Sequence, residues 1–317
     1  MLACLACILI RKVDACAGGS DSSGYMNQAR LLAEGRIHVP MRVLPGLDTT
    51  GFSDYLYSPL GFRPDHDTIV PTYPIGLPLL ILAAAAVVGW AQAANVVIVL
   101  HALAAVILLY ALARELLLGW RGGLVASVCL AASPLFLFFS VQAMSDLPAL
   151  TWVCATAWTA WRARRHAGWA VATGFCFSVA VLVRPTNVLL APALLVAWWP
   201  LTARRVLGAV AAGLPGAAGL LLYNRAAYGS PFATGYGEAG SLFQRGVVEE
   251  TLAHYAHWLP LLFSPAVILF LLLPLRPSRT AWFLFLWAFA YLAFYVCYYH
   301  THETWWYLRF VLPAAPA

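Results

Sequence analysis

Twenty consecutive residues, Ala94 to Ala113, read ANVVIVLHALAAVILLYALA and contain no charged side chain. A helix of about 20 apolar residues is long enough to cross the hydrocarbon core of a bilayer. Apolar segments of this kind recur along the chain. They predict eight membrane spans, at about 94–113, 122–141, 147–163, 168–183, 187–201, 205–223, 257–274 and 280–299.

The composition agrees with this interpretation. Hydrophobic residues make up 62% of the 317 residues and charged residues only 10%, whereas a soluble chain needs far more charge to cover its surface. We therefore predict an all-α, polytopic helical membrane protein, with residues 1–317 forming one membrane domain. Because the chain starts and stops within short apolar stretches, we expect it to be part of a longer protein. The net charge of +6 comes from short loops and does not indicate a nucleic-acid partner.

The loop charges predict the orientation in the membrane. Basic residues gather in alternate loops, which the positive-inside rule places in the cytoplasm. Of the 13 acidic residues, only Glu115 falls on that side. We therefore expect a multi-pass protein of the plasma (inner) membrane with its functional face outside. The arginines concerned are Arg114, Arg121, Arg162, Arg164, Arg165, Arg204, Arg205, Arg276 and Arg279.

Three segments form the predicted external cap. Residues 14–73 make a first loop with helical periodicity over Ser22–Gly35, and residues 224–256 make a second loop. Residues 74–90 are apolar, but the loops on both sides of them should be external. We interpret this segment as interfacial or re-entrant. The alternative is a true crossing with the N-terminus inverted.

Asp21 and Asp146 are the principal candidates for chemistry. Each begins a predicted helix, and both fall on the external side. Each could simply cap its helix, which is worth about 1 kcal/mol. Alternatively, two carboxylates on one membrane face can serve as a general base and as a metal ligand or orienting group.

A second set of residues contains candidates for substrate binding. Arg184 could bind a phosphate or extend its side chain to the membrane interface. The aromatic residues around Arg309 fit an interfacial belt, but the histidines, glutamate and arginine among them fit a belt less well and indicate an active-site contribution. The candidates are Tyr25, Arg184, His300, His302, Glu303 and Arg309.

The order of several short motifs resembles the GT-C membrane glycosyltransferases, in the branch of protein O-mannosyltransferases and lipid A aminoarabinose transferases. Each motif is loose, and the resemblance depends on their order over nearly the whole chain. The motifs are Gly18-Gly-Ser-Asp21-Ser-Ser-Gly-Tyr25, Ala29-Arg-Leu-Leu-Ala-Glu-Gly35, Tyr73-Pro-Ile-Gly76-Leu-Pro78, Ala132-Ser-Pro134, Ser145-Asp146-Leu-Pro148, Arg184-Pro-Thr-Asn187 and Trp306-Tyr-Leu-Arg309-Phe.

The resemblance implies an enzyme that takes a sugar from a polyprenyl-phosphate donor and transfers it, with inversion, on the external face. It implies that Asp21 is the general base and that Asp146 supports the acceptor or a divalent ion. The acceptor would be a lipid, a glycan or a protein of the cell envelope. Several family members carry a second acidic residue directly after the first aspartate, where this chain has Ser22. Metal dependence is therefore left open.

Two other functions remain as alternatives. A transporter or flippase for lipid-linked saccharides would use the external acids to bind cations or substrate, but such proteins usually show repeated halves and charges within the membrane. A non-catalytic partner in a cell-envelope complex would tolerate loss of Asp21. The sequence contains no P-loop, Gly-x-Ser-x-Gly or His-Glu-x-x-His motif, which argues against a nucleotide-driven pump and against serine or zinc hydrolases.

Overall fold

A computed structural model of the chain describes residues 1–13, 17–42, 54–116, 118–237 and 239–317. The described residues are mostly helical, which confirms the predicted fold class. The α-helices are α1 Leu2–Lys12, α2 Ser20–Ala33, α3 Gly76–Val88, α4 Trp90–Glu115, α5 Gly119–Ala132, α6 Pro134–Phe139, α7 Asp146–Ala163, α8 Trp169–Val183, α9 Ala191–Trp198, α10 Ala203–Tyr228, α11 Val248–Leu262 and α12 Arg279–Tyr295.

Short 3₁₀ segments connect or extend several helices. One of them, Pro265–Leu275, follows α11, and another, Trp305–Ala314, contains Arg309. The remaining segments are Asp54–Tyr57, Pro185–Leu190, Ala239–Leu242, Arg245–Val247 and Tyr299–His302.

A small antiparallel sheet lies in the first loop and was not predicted. Its strands are β1 Val39–Pro40, β2 Phe62–Asp65 and β3 Thr68–Pro71, in the order β1-β3-β2. Residues 14–16 and 43–53 of the predicted loop lie outside the described residues. The second predicted loop, 224–256, is shorter than expected, because α10 continues to Tyr228 and α11 begins at Val248.

Helix α7 occupies the centre of the bundle. Most of its residues are buried, and it packs against α4, α8 and α9. Because helices rather than lipid surround α7, it can carry small and polar residues such as Thr151 and Thr156 on buried faces. Both hydroxyls donate to main-chain carbonyls, so their burial leaves no unsatisfied donor.

Only some of the predicted spans are single long helices. Among the described residues, α4 and α10 are each long and apolar enough to cross a membrane. The predicted span 257–274 is broken instead: helix Arg245–Leu262 and segment Pro265–Leu275 meet at 113° and together would make a third. Pro265 explains this break, since proline disfavours a helical conformation for the residue before it.

The two ends of α7 differ in charge. At its carboxyl end, Arg162 and Arg165 lie 3.8 and 3.2 Å from Glu115, the last residue of α4. Asp146 begins the same helix. At 1.5 Å per residue, 18 residues separate the two ends by about 27 Å. The fold therefore separates the basic loops from Asp146 by about the thickness of a hydrocarbon core.

Helix α3 forms the core of the apolar segment 74–90. Its 13 residues extend about 20 Å, less than the roughly 30 Å of a hydrocarbon core. The helix packs against α2, α4 and α8, and the absence of a side chain at Gly76 lets it touch the main chain of Leu182 and Val183. This contact brings the segment that follows the first loop next to Arg184.

Candidate active site

Asp21 lies in the first turn of α2 but does not cap it. The capping residue is Gly19, and no side chain caps the helix. Instead, the Asp21 carboxylate contacts residues distant in sequence: Tyr73 Oη donates to Oδ1 at 2.6 Å, and Arg309 donates to Oδ2 at 2.7 Å. Ser20 also donates to Oδ1, at 3.3 Å. The helix-cap alternative for the Asp21 side chain is therefore wrong.

The pKa of Asp21 reflects these contacts. Burial alone would raise it, since desolvation disfavours the charged carboxylate. The positive charge of Arg309 and the hydrogen bonds from Tyr73, Arg309 and Ser20 outweigh burial and lower the pKa below its ordinary value. Asp21 is therefore ionised at neutral pH.

Asp146 forms a second, more deeply buried ion pair. It is the first residue of α7, where a carboxylate interacts favourably with the helix dipole, but it makes no capping hydrogen bond. Arg184 Nη2 lies 2.6 Å from Asp146 Oδ1, and the two side chains are only 11% and 1% exposed. Because Pro185 keeps Arg184 extended, α8 ends at Val183 and the arginine side chain leaves the helix.

Hydrogen bonds join the two ion pairs. Ser145 Oγ accepts from Tyr25 Oη at 3.1 Å and from Arg184 at 3.2 Å. Arg184 also donates to the main-chain oxygen of Arg309 at 3.3 Å. The structure thus brings together five predicted residues, Asp21, Tyr25, Asp146, Arg184 and Arg309, from four distant parts of the chain.

The two arginines differ in how well their donors are satisfied. Arg184 donates to Asp146, to Ser145 and to a carbonyl. Within the described part of the chain, Arg309 has one strong partner, Asp21, and a weak contact with Met144 Sδ at 3.5 Å, while its buried Nε has no partner. Since a guanidinium carries five N–H donors, Arg309 retains capacity for another acceptor.

Three predicted residues lie apart from this network. His300 Nδ1 is 3.0 Å from Glu303, and His302 Nε2 is 3.2 Å from Glu250. In the part of the chain that the structure describes, none of these side chains hydrogen-bonds to Asp21 or Asp146. The His300 ring does lie 5.6 Å from that of Tyr307, near Arg309. Their predicted part in substrate binding stays a prediction.

Two residues of the network were not predicted, Tyr73 and Ser145. Both occur within motifs singled out in the sequence. Neither side chain carries a charge at neutral pH, however, so the sequence did not indicate that either one belongs to the site. The described residues contain no group of three or more His, Cys, Asp or Glu side chains placed to hold a metal. At Asp146, Arg184 already supplies a positive charge, and among the described residues the buried Oδ2 has no partner. The role of Asp146 in supporting the acceptor or a divalent ion stays a prediction.

Comparison with known proteins agrees with this fold. Residues 73–224 match the family of dolichyl-phosphate-mannose-protein mannosyltransferases. No curated protein sequence matches the chain. A solved structure of ArnT from Cupriavidus metallidurans bound to undecaprenyl phosphate is similar, with a TM-score of 0.67 and 16% identity, over 99% of this chain and 58% of that one. Its apo state gives a TM-score of 0.66 and 18% identity, over 99% and 57%.

A more distant similarity is to the apo oligosaccharyltransferase of Archaeoglobus fulgidus, with a TM-score of 0.51 and 12% identity, over 99% of this chain and 49% of that one. The chain therefore spans a little over half the length of the ArnT structures that it matches. By its structure, this multi-pass membrane chain has the GT-C glycosyltransferase fold, and over residues 73–224 it carries the sequence pattern of the dolichyl-phosphate-mannose-protein mannosyltransferases.

Proposed function

We propose that this protein is an integral-membrane glycosyltransferase that moves a sugar from a polyprenyl-phosphate donor to a cell-envelope acceptor. The family pattern and the fold support the reaction class, and the similar ArnT structure holds undecaprenyl phosphate. The observation that carries the proposal is the Asp21–Arg309 pair, at 2.7 Å and with side chains 21% and 15% exposed. It offers a base and an unsatisfied cation side by side.

Asp21 Oδ2 is the atom that we assign to take the proton. Each carboxylate oxygen has two acceptor positions. Donors from Tyr73 and Ser20 occupy Oδ1, whereas Arg309 is the single donor to Oδ2 among the residues that the structure describes. The free position on Oδ2 accepts the proton of the acceptor hydroxyl, and general-base assistance of this kind is worth roughly 10²–10⁴ in rate.

Arg309 is the cation that we assign to the donor phosphate. Its spare N–H groups can bind phosphate oxygens while one still contacts Asp21, whereas Arg184 already makes three hydrogen bonds within the network. A guanidinium suits this role because its planar donors match the geometry of a phosphate. One residue thus places the leaving group beside the base.

The reaction follows from this arrangement as a single displacement. The acceptor oxygen gives its proton to Asp21 and forms a bond to the anomeric carbon. The bond from that carbon to the phosphate oxygen breaks, and the electron pair leaves with polyprenyl phosphate. Arg309 stabilises the charge that develops there. Attack opposite the leaving group inverts the anomeric centre, through an oxocarbenium-like transition state.

An apolar cavity supports a lipid-linked donor. It has a volume of about 360 Å³ and is lined largely by the 3₁₀ segment Pro265–Leu275, with Val311 and Ala314 of the segment that carries Arg309 also in its wall. Its walls include Leu259, Phe263, Leu292 and Val311. We propose that the prenyl chain enters this cavity, since burying each CH₂ group is worth about 0.8 kcal/mol.

The charge distribution supports an external active site. The basic loops gather at one end of α7 and the Asp21–Asp146 network at the other. With the basic end in the cytoplasm, as the positive-inside rule requires, the network faces outward. The prediction that residues 74–90 form an interfacial or re-entrant segment is part of the same proposal.

The test is sugar transfer by full-length protein in membranes supplied with a labelled polyprenyl-phosphate sugar. Asp21→Asn should abolish transfer by protein that is still expressed and folded, although the unpaired Arg309 lowers its unfolding temperature. Glu34→Gln is the matched control, because Glu34 pairs only with Arg36 on the exposed part of the same cap and should not change transfer. Wild-type turnover by Asp21→Asn would refute the base assignment. Movement of the labelled lipid across the bilayer without transfer would instead indicate a transporter.

A further inference from the structure

We propose that Tyr73 is a positioning residue for the catalytic base: its hydroxyl holds Oδ1 of Asp21 so that Oδ2 faces the acceptor. The inference rests on the proposed role of Asp21 as the base. It adds a residue that does not itself contact substrate. The carrying observation is the 2.6 Å hydrogen bond from Tyr73 Oη to Oδ1, across 52 residues of sequence.

The ring of Tyr73 has space only because two glycines flank it. A Cβ on Gly24 would lie 2.5 Å from Tyr73 Cε2 and 2.8 Å from Cδ2. A Cβ on Gly61 would lie 3.1 Å from Cε2, and Gly61 has a φ of +87°, a conformation that side chains disfavour. A side chain at Gly24 would displace the ring, and one at Gly61 would crowd it. The position of the hydroxyl therefore depends on both glycines.

The main chain of Tyr73 is held as firmly as its ring. Gln28 donates from Nε2 to the main-chain oxygen of Tyr73 at 3.1 Å and to Tyr223 Oη at 2.8 Å. The Tyr25 ring lies 4.6 Å from the Tyr73 ring, and that of Tyr236 lies edge-on at 6.3 Å. A hydroxyl fixed in this way can fix the carboxylate that it contacts.

The direction of the hydrogen bond is also set. Burial and then the neighbouring Asp21 charge raise the pKa of Tyr73 well above its ordinary value, so the hydroxyl keeps its proton. It therefore always donates and the carboxylate always accepts. This bond also contributes to the lowered pKa of Asp21.

Removing the hydroxyl has two consequences for Asp21. The carboxylate loses the shorter of the two hydrogen bonds that hold Oδ1 and keeps only the 3.3 Å bond from Ser20, so its plane can rotate and the free position on Oδ2 no longer points at the acceptor. It also loses a hydrogen bond to its charged form, which raises its pKa. Hydrogen bonds to charged groups are strong enough for the first effect to lower kcat by roughly 10–100-fold.

The experiment compares Tyr73→Phe and Gly24→Ala in the full-length protein, with kcat, donor KM and the pH profile of kcat/KM as readouts. We expect a lower kcat, a donor KM within about threefold of wild type, and an acidic limb moved to higher pH. The fall in kcat/KM at low pH moves to higher pH because Asp21 must be deprotonated to act as the base and the substitution raises its pKa. Tyr228→Phe is the matched control, since its hydroxyl donates to Pro71 O in the same cap.

The outcomes separate this inference from the proposed function. A lower kcat with the acidic limb unmoved would make Tyr73 merely structural, and a tenfold or larger rise in donor KM would make it a donor contact. Either result overturns the inference. If Asp21→Asn is inactive while Tyr73→Phe behaves as wild type, the inference alone fails. If Asp21→Asn remains active, the proposed base fails with it. Tyr73→Phe keeps the ring, so its result decides even if Gly24→Ala does not fold.

Discussion

Replacing Arg184 with glutamine should destabilise the protein strongly, because it leaves a carboxylate buried without its counter-charge. Asp146 is only 1% exposed, and among the described residues its Oδ2 has no hydrogen-bond partner, so the 2.6 Å contact with Arg184 is its direct ion pair. The same substitution removes the hydrogen bonds from Arg184 to Ser145 and to the main-chain oxygen of Arg309.

The magnitude follows from the burial of the pair. Removing one partner of a buried ion pair costs about 3–5 kcal/mol, and Arg184 at 11% exposure falls within that regime. At about 2.1 cal/mol/K per residue, unfolding 317 residues has an entropy of about 0.67 kcal/mol/K, so each kcal/mol lowers Tm by about 1.5 °C. We therefore expect Arg184→Gln to lower the unfolding temperature by roughly 5–8 °C. Asp146→Asn should act similarly, since it leaves Arg184 unpaired.

The double variant Asp146→Asn/Arg184→Gln tests whether the loss of stability comes from an unpaired buried charge. Two amides can hydrogen-bond without any buried charge, and neutral replacements of buried ion pairs are often tolerated. We expect it to recover most of the lost stability, as measured by tryptophan fluorescence during heating at fixed detergent concentration. Transfer by the double variant should stay within about tenfold of wild type, since the proposal gives Asp146 and Arg184 a supporting role.

Two results would refute this reasoning. Wild-type stability of Arg184→Gln would show that the pair does not hold the fold. A stable double variant without transfer would show that Asp146 acts on the acceptor or on an ion, as the sequence resemblance implies.

The remaining predictions concern the other charged residues. Arg309→Lys should raise the donor KM and lower kcat, with a far smaller loss of stability than Arg184→Gln, because lysine keeps the charge but cannot bind carboxylate and phosphate together. A donor titration of transfer rates checks this, and unchanged donor kinetics would contradict it. Glu303→Gln should change stability by less than about 1 kcal/mol, since its contact with His300 is about one-third exposed on each side. A transfer rate more than tenfold below wild type would place Glu303 in the active site.

Features that depend on residues close together in sequence could be predicted, whereas contacts between distant residues could not. Hydropathy and charge act locally, so they predicted the helical fold correctly and singled out Asp21 and Asp146 as candidates. The break after Leu262 also had a local signal, Ser264 followed by Pro265, which the apolar composition obscured. The hairpin of β2 and β3 was harder to predict, because Pro64 within β2 weakens its strand pattern.

The pairing within the site could not be predicted from local pattern. Nothing near Asp21 in sequence indicates that its partners are Tyr73 and Arg309, since both contacts depend on how the helices pack. Aromatic residues are also common in the interfacial belts of membrane proteins. In sequence, a tyrosine that binds a carboxylate therefore cannot be distinguished from a tyrosine of the belt. The contact between Tyr73 and Asp21 is determined by the packing of segments distant in sequence and not by residue type.

The distance between Asp21 and Arg309 along the chain has a consequence for biosynthesis. These partners are 288 residues apart. At 5–20 residues per second, the ribosome needs roughly 15–60 s after making the aspartate to supply its arginine. Until then, the Asp21–Arg309 pair cannot form, so the proposed base and its cation come together only after the helices between them have been synthesised.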